Sequence, residues 1–259
     1  MSGALLGGAL LTADEADPVM LRHPEGTSPF LLTVDHAGKL LPRALGDLGL
    51  PEAERARHIG WDIGIAGTSA HLADLLDATM VAQIYSRLAI DCNRRTDVAT
   101  SIPEVSEATV VPGNLALTMA QRQARVDALF VPYHAEIVRV LEARAARGQA
   151  TALVAMHSFT PVFKGVGRPW HVGVLVNRDR RLAEAMLTLL AAEGDLVVGD
   201  NEPYRVTDES DYAIPVYGER RGLPHVEIEI RQDLIAEAAG QRAWAERLAR
   251  LLPQALARL

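Results

Sequence analysis

Three short apolar runs in this chain each end abruptly in residues that carry chemistry. FLLTVD (30–35) passes into His36-Ala-Gly, TALVAM (151–156) into His157-Ser-Phe-Thr-Pro, and PHVEI (224–228) into Glu229-Ile-Arg231. Each run is rich in Val, Ile, Leu or Thr and short enough to be a buried strand. Helical periodicity fills the intervals. The clearest case is 118–147, where Val126, Leu129, Phe130, Tyr133, Ile137, Val140 and Leu141 form one apolar stripe. Further helices are expected from Pro51 through PEAERARHIG, over 63–78, over 181–194 with Gly194 as terminator, and over about 240–257. Strands are expected at 81–85, 87–91, 171–176, within LVVGDNEPY, and at 224–230, with a long loop at 96–115. Strands alternating with helices predict a single three-layer α/β domain, with a mixed, mostly parallel sheet between helices. In such sheets ligands bind outside the carboxyl ends of the strands.

The bulk numbers narrow the partners. With 49% hydrophobic and 23% charged residues, a 259-residue chain builds a sizeable core. The charge of 26 − 33 = −7 is spread along the chain, and no basic stripe neutralises phosphates, which argues against nucleic acid. A single cysteine, Cys92, forms no intramolecular disulfide, reads as a small apolar strand residue, and suits a reducing cytoplasm. The apolar start SGALLGGALL lacks a basic leader and is about half the ~20 residues needed to span a bilayer. Residues 1–25 are expected as a loose N-terminal arm, or the apolar start as a short packed segment, with no membrane partner.

The strand-end residues suggest a metal. Two imidazoles and a carboxylate at one rim suit catalytic zinc, which takes three protein ligands and keeps an open position. No HExxH or CxxC pattern is present, so the ligands come from distant segments. His36 and His157 each have a structural reading alone, but two imidazoles at strand ends need two sets of partners. Asp62 in Gly-Trp-Asp-Ile-Gly is the third candidate, although an acid there also caps a helix. Asp35 competes, yet strand alternation turns it away from His36. Glu227 and Glu229 lie at period two on one face, a costly burial unless both are paired or used. Arg231 offers Glu229 a structural partner; the functional reading makes Glu229 a general base toward water. Arg87, Asn93, Arg94 and Arg95 bracket RLAID, where a guanidinium fork suits a substrate carboxylate and a solvated surface is the plain alternative.

DHAG, WDIG, YSRLAIDCNRR, MHSFTP, GRPWHVGVL, DNEPY and HVEIEIRQDL occur in this order over about residues 30–236, and together they resemble the N-formylglutamate amidohydrolase family. The resemblance implies a fold similar to zinc carboxypeptidases and aspartoacylases. It implies one zinc per chain on His36, Asp62 and His157, with manganese, cobalt or nickel also suited to N/O ligands. Where the carboxypeptidase pattern has a Glu three residues after the first His, this chain has Lys39, which moves the acidic ligand to Asp62. Asn93 and Arg94 would hold a substrate carboxylate, Arg87, Arg168 and Tyr204 would line the pocket, and Glu229 would be the catalytic glutamate. The implied reaction is cleavage of N-formyl-L-glutamate to formate and glutamate, in histidine breakdown. The usual Glu-Ile-Asn-Arg reads Glu-Ile-Arg-Gln here, which admits another acylated amino acid or a peptide C-terminus as substrate. A non-catalytic binding protein on the same fold is the remaining alternative.

Overall fold

The computed structural model describes residues 9–259. In chain order it contains β1 (Val19–Arg22), β2 (Phe30–Val34), α1 (Glu52–Arg55), α2 (Ile65–Leu76) and β3 (Thr79–Gln83). A hairpin of β4 (Val105–Ser106) and β5 (Thr109–Val110) follows, then α3 (Met119–Arg125), α4 (Val131–Ala146) and β6 (Ala152–Phe159). A second hairpin, β7 (Val162–Phe163) and β8 (Val166–Gly167), precedes β9 (Val172–Leu175), α5 (Arg181–Ala192), β10 (Val198–Asp200), β11 (His225–Arg231) and α6 (Ala238–Leu256).

The main sheet runs β1-β3-β2-β6-β11-β9-β10. Its centre, β3-β2-β6-β11, is parallel, so the carboxyl ends of four strands share one edge. β1 and β9 pair antiparallel with β3 and β11, which makes the sheet mixed. Alternation sorts the side chains. Leu32, Val34, Val154, Met156, Val226 and Ile228 face α2, α5 and α6, in a core with Leu72, Met186 and Leu248. Leu31, Val81, Leu153 and Ala155 face the opposite layer, where Leu129, Tyr133, Ile137 and Leu141 close a second core. Two helical layers around one sheet make a single α/β domain. By the same alternation His157, Glu227 and Glu229 share the face of Ala155, and pairing sets Glu229 beside His157.

The structure refines several of these expectations. The helix expected over 118–147 is present as one helical run over 119–146, with a π-turn at Val126–Phe130. Pro132 supplies no N–H to the helical ladder, and the wider turn accommodates that gap. The strand expected at 87–91 is a set of turns, in which Arg87 Nη2 reaches Asp91 Oδ2 at 2.6 Å. Side chains four apart in a strand are separated by about 13 Å; in a helical turn they meet. Of the two readings of the N-terminal stretch, the packed one holds from residue 10 on, with Leu10 buried and β1 in the sheet; residues 1–8 lie outside the described residues. Gly38, just past His36, lets the chain cross Ile84, whose carbonyl oxygen lies 2.0 Å from where a Cβ would sit.

Candidate active site

The shared strand edge opens onto a cavity of about 460 Å³ lined by His36, Asp62, Arg87, Arg94, His157 and Glu229, among others. His36 enters just past the end of β2, His157 from within β6, Glu229 from β11, and Asp62 from the turn before α2. Asp62 is placed by its own backbone, whose N–H donates to the His36 carbonyl at 3.0 Å. Its Oδ2 accepts the Ser158 N–H at 3.2 Å. Both histidines turn Nδ1 toward this one oxygen, His36 at 3.4 Å and His157 at 3.1 Å.

The far nitrogen of each ring meets a second carboxylate. His36 Nε2 is 2.7 Å from Asp91 Oδ1, and His157 Nε2 is 3.3 Å from Asp35 Oδ2. Asp91 is itself fixed by Arg87, through Nε at 3.2 Å and Nη2 at 2.6 Å, and by the Asn93 N–H at 2.9 Å. Buried Arg125 holds this segment from behind, donating to the Ala89 carbonyl at 2.9 Å and to Asn114 Oδ1 at 2.7 Å. Asn114 in turn donates to the Leu88 carbonyl at 2.9 Å.

The electrostatics favour positive charge at the centre. Burial and Arg87 work against a proton on His36, but Asp91 and Asp62 outweigh them and raise its pKa. Burial likewise opposes protonation of His157, yet Glu227, Asp35 and Asp62 carry it well above the usual imidazole range. Burial alone would raise Asp62; His36 and His157 overcome that and hold the carboxyl below its usual range. Burial pushes Glu229 up to about 7, against the pull of His157. Its Oε2 is buried without a hydrogen-bond partner, as are Glu227 Oε2 and His36 Nδ1.

These residues fit a divalent metal. Ligand arms of about 2.0–2.1 Å meeting at a tetrahedral angle put donor atoms about 3.3 Å apart, and the two Nδ1–Oδ2 distances of 3.4 and 3.1 Å bracket that value. His36, Asp62 and His157 are the group among the described residues whose donor atoms converge in this way. With each Nε2 facing a carboxylate, a ring singly protonated at Nε2 offers its Nδ1 lone pair to the centre. Lys39 is elsewhere, 5.7 Å from the Trp61 ring centre and 3.5 Å from Glu52.

Other anticipated residues divide. Arg94 lines the cavity; its Nη1 donates to the Asn93 carbonyl at 3.0 Å. Asn93 also lines it, but its amide is occupied: Nδ2 donates to Asp211 at 3.0 Å, and Oδ1 accepts from Tyr212 N–H at 2.8 Å and Ala213 N–H at 3.2 Å. Tyr204 is in the wall, and Arg168 stands behind it, donating to its hydroxyl oxygen at 2.8 Å. Arg168 also stacks on Phe163, 4.5 Å from the ring centre. Arg231 does not pair with Glu229; it bonds Asp233 and the Pro169 and Trp170 carbonyls. Arg95 pairs with Asp97 in the open. Both long loops reach the cavity, where Glu107 of the first hairpin accepts the Lys164 N–H of the second at 3.1 Å. Asp91, Asp211 and the backing pair Arg125–Asn114 were not singled out from sequence. Gly173, opposite Glu229, allows the Glu202 carbonyl within 2.1 Å of a would-be Cβ and so brings the loop carrying Tyr204 against β11.

A buried His/Asp/His cluster beside buried glutamates, at the carboxyl edge of an α/β sheet, is an arrangement that hydrolytic chemistry can use. The chain belongs to the N-formylglutamate amidohydrolase family, whose model matches residues 28–236. It is similar to the crystal structure of a gene product from Agrobacterium tumefaciens, with 36% identity and a TM-score of 0.93 over 96% of this chain and 98% of that one. It shares its fold with N-formylglutamate amidohydrolase from Ralstonia eutropha JMP134, at 22% identity and a TM-score of 0.70, over 94% of this chain and 98% of that one. Among curated proteins no match was found. No helix among the described residues is long and apolar enough to cross a membrane.

Proposed function

We propose that this chain is a metal-dependent amidohydrolase acting on an N-acylated amino acid, with N-formyl-L-glutamate cleaved to formate and L-glutamate. The observation that carries this reading is the convergence of His36 Nδ1 and His157 Nδ1 on Asp62 within the cavity that holds Glu229. His36, Asp62 and His157 would hold zinc or a similar divalent ion. When bound, such an ion lowers the pKa of water and polarises the acyl carbonyl.

The remaining chemistry belongs to the protein. Glu229 accepts a proton from the attacking water at its unpartnered Oε2 and returns it to the departing nitrogen. The carbon–oxygen bond to water forms and the amide carbon–nitrogen bond breaks, so formate and a free amino group result. Arg94 binds a substrate carboxylate and so orients the scissile amide. Asn93 keeps Arg94 in register by its bonds to Asp211 and to the Tyr212 and Ala213 backbone. Arg87 holds Asp91 rather than substrate, and Arg168 steadies Tyr204 in the cavity wall. The products suit histidine breakdown in the cytoplasm, and the buried thiol of Cys92 is compatible with a reducing compartment.

A second reading, hydrolysis of another acylated amino acid, is favoured by the changed residues after Glu229, where Arg231 pairs with Asp233 and lines no part of the cavity. Elemental analysis beside a formate-release assay, with and without chelator, tests both readings. About one metal per chain with chelator-sensitive release supports the first. Metal without formate release, and turnover of other acyl amino acids, supports the second. A chain that stays inert after zinc is restored overturns both.

A further inference from the structure

Guanidinium groups near the cavity are mostly neutralised. Arg87 is fixed by Asp91 and Asp62, Arg57 by Glu54 and Glu107, and Arg95 by Asp97. Two in the cavity wall are different. Arg94 lies 3.9 Å from Asp211, beyond hydrogen-bond reach, and its Nε and Nη2 make no hydrogen bond among the described residues. Arg205 lines the same cavity at an exposed position and makes no ion pair among the described residues.

These two are held in one frame although 111 residues separate them (205 − 94). Asn93 Nδ2 donates to Asp211 Oδ1 at 3.0 Å, and Asp211 Oδ2 accepts the Thr207 N–H at 3.3 Å. Ser210 Oγ donates to the Arg205 carbonyl at 3.2 Å. The loop that carries Arg205 is therefore tied to the turn that carries Arg94. Deeper in the cavity stand Glu227 and Glu229, both buried, each with an oxygen that has no partner. A substrate with two carboxylates is repelled from that end and attracted at the other.

We propose that Arg205 is a specificity-determining residue that takes the second carboxylate of the substrate while Arg94 takes the first. Within the N-formyl-L-glutamate reading, Arg205 is then the residue that tells an acidic side chain from its uncharged amide. This rests on the amidohydrolase reading for the substrate's overall form, but not for its measurement. Because Arg205 is solvated before binding, its discrimination is modest, about tenfold, and weakens with salt.

The test is binding of the product amino acids, read by calorimetry without turnover. Wild-type protein, Arg205→Gln and Arg205→Lys are titrated with L-glutamate and L-glutamine at low and high salt. The expected result is a roughly tenfold preference for glutamate in the wild type that falls at high salt. The preference disappears in Arg205→Gln and partly returns in Arg205→Lys. A preference that persists in Arg205→Gln, or equal binding of the two amino acids by wild type, overturns the assignment. Formate release is measured in parallel. A protein that prefers glutamate but releases no formate keeps the Arg205 assignment and loses the deformylase reading; release without preference does the reverse.

Discussion

His36 and Asp91 meet at 2.7 Å, Nε2 to Oδ1, although 55 residues separate them in sequence. The bond leaves His36 one free nitrogen, Nδ1, and fixes the ring so that this atom looks at Asp62. Asp91 is firm enough to do this because Arg87 grips its other oxygen with two nitrogens. A carboxylate behind a ligating imidazole orients the ring and raises its basicity. Asp35 faces His157 Nε2 from the corresponding side, at 3.3 Å and without a hydrogen bond.

Asp91→Asn keeps the size of the side chain and an oxygen to accept from His36, but removes the charge. Metal affinity should fall by roughly 10–100-fold, the range found when such backing groups are changed. Competition with a chromophoric chelator measures this directly. Wild-type affinity in the variant would reduce Asp91 to a fold-stabilising partner of Arg87.

His157→Ala removes one of the proposed ligand atoms outright, and Asp62→Ala removes the oxygen on which both Nδ1 atoms converge. Either variant should purify without stoichiometric metal and without turnover, while its circular-dichroism spectrum stays close to wild type. Full metal occupancy in His157→Ala would take that residue out of the ligand set. Glu227 or Asp35, the nearest other carboxyls in the electrostatics of His157, would then be the places to look.

Glu229→Gln separates binding from chemistry. The amide cannot take a proton from water, so kcat should fall by about 10²–10⁴-fold while bound metal is unchanged. Glu227→Gln is the control, because the two share a face of β11 and both line the cavity. If Glu227→Gln is inactive and Glu229→Gln is near wild type, the roles exchange.

The residues that sequence could reach are those whose position follows from regular structure. His157 and Glu229 sit in strands, where period-two alternation decides the face, and His36 follows directly from β2. Parallel pairing then brings all three to one edge. Asp91 escaped because RLAID has the composition of a strand and the geometry of a turn. What bends it is not local propensity but the ion pair of Arg87 with Asp91 and the grip of Arg125 and Asn114 on the Leu88 and Ala89 carbonyls. Asp211 was invisible for a related reason: its role depends on Asn93, 118 residues away, and no spacing rule links two loops. The motif order gave Arg168 and Tyr204 as a neighbourhood, but only coordinates tell that Arg168 supports Tyr204 rather than lining the cavity itself.

His134 provides a pH test that does not depend on whether a metal is bound. The ring is buried, with Nε2 3.0 Å from the Cys92 carbonyl and Nδ1 2.7 Å from the Tyr217 hydroxyl. Since a carbonyl can only accept, Nε2 carries the proton, and Nδ1 accepts from Tyr217. Burial lowers the pKa from 6.5 to about 4, against the pull of Asp35. Above about pH 6.5 neither the folded nor the unfolded form binds the extra proton, so the full stability is present. As pH falls below that value the unfolded chain takes up a proton that the folded ring refuses, and stability is lost until about pH 4, where both forms are charged. At 1.36 kcal/mol per pKa unit, the loss between about pH 7.5 and about pH 5 is roughly 2 kcal/mol. That interval stays above the range in which most carboxylates titrate. Urea unfolding of wild type and His134→Gln at the two pH values should show the variant losing roughly 2 kcal/mol less on acidification, since His36 and His157 contribute equally to both proteins and cancel. An equal loss in the two proteins would mean that His134 is protonated in the fold, and that its contact with Cys92 or Tyr217 is not the one described.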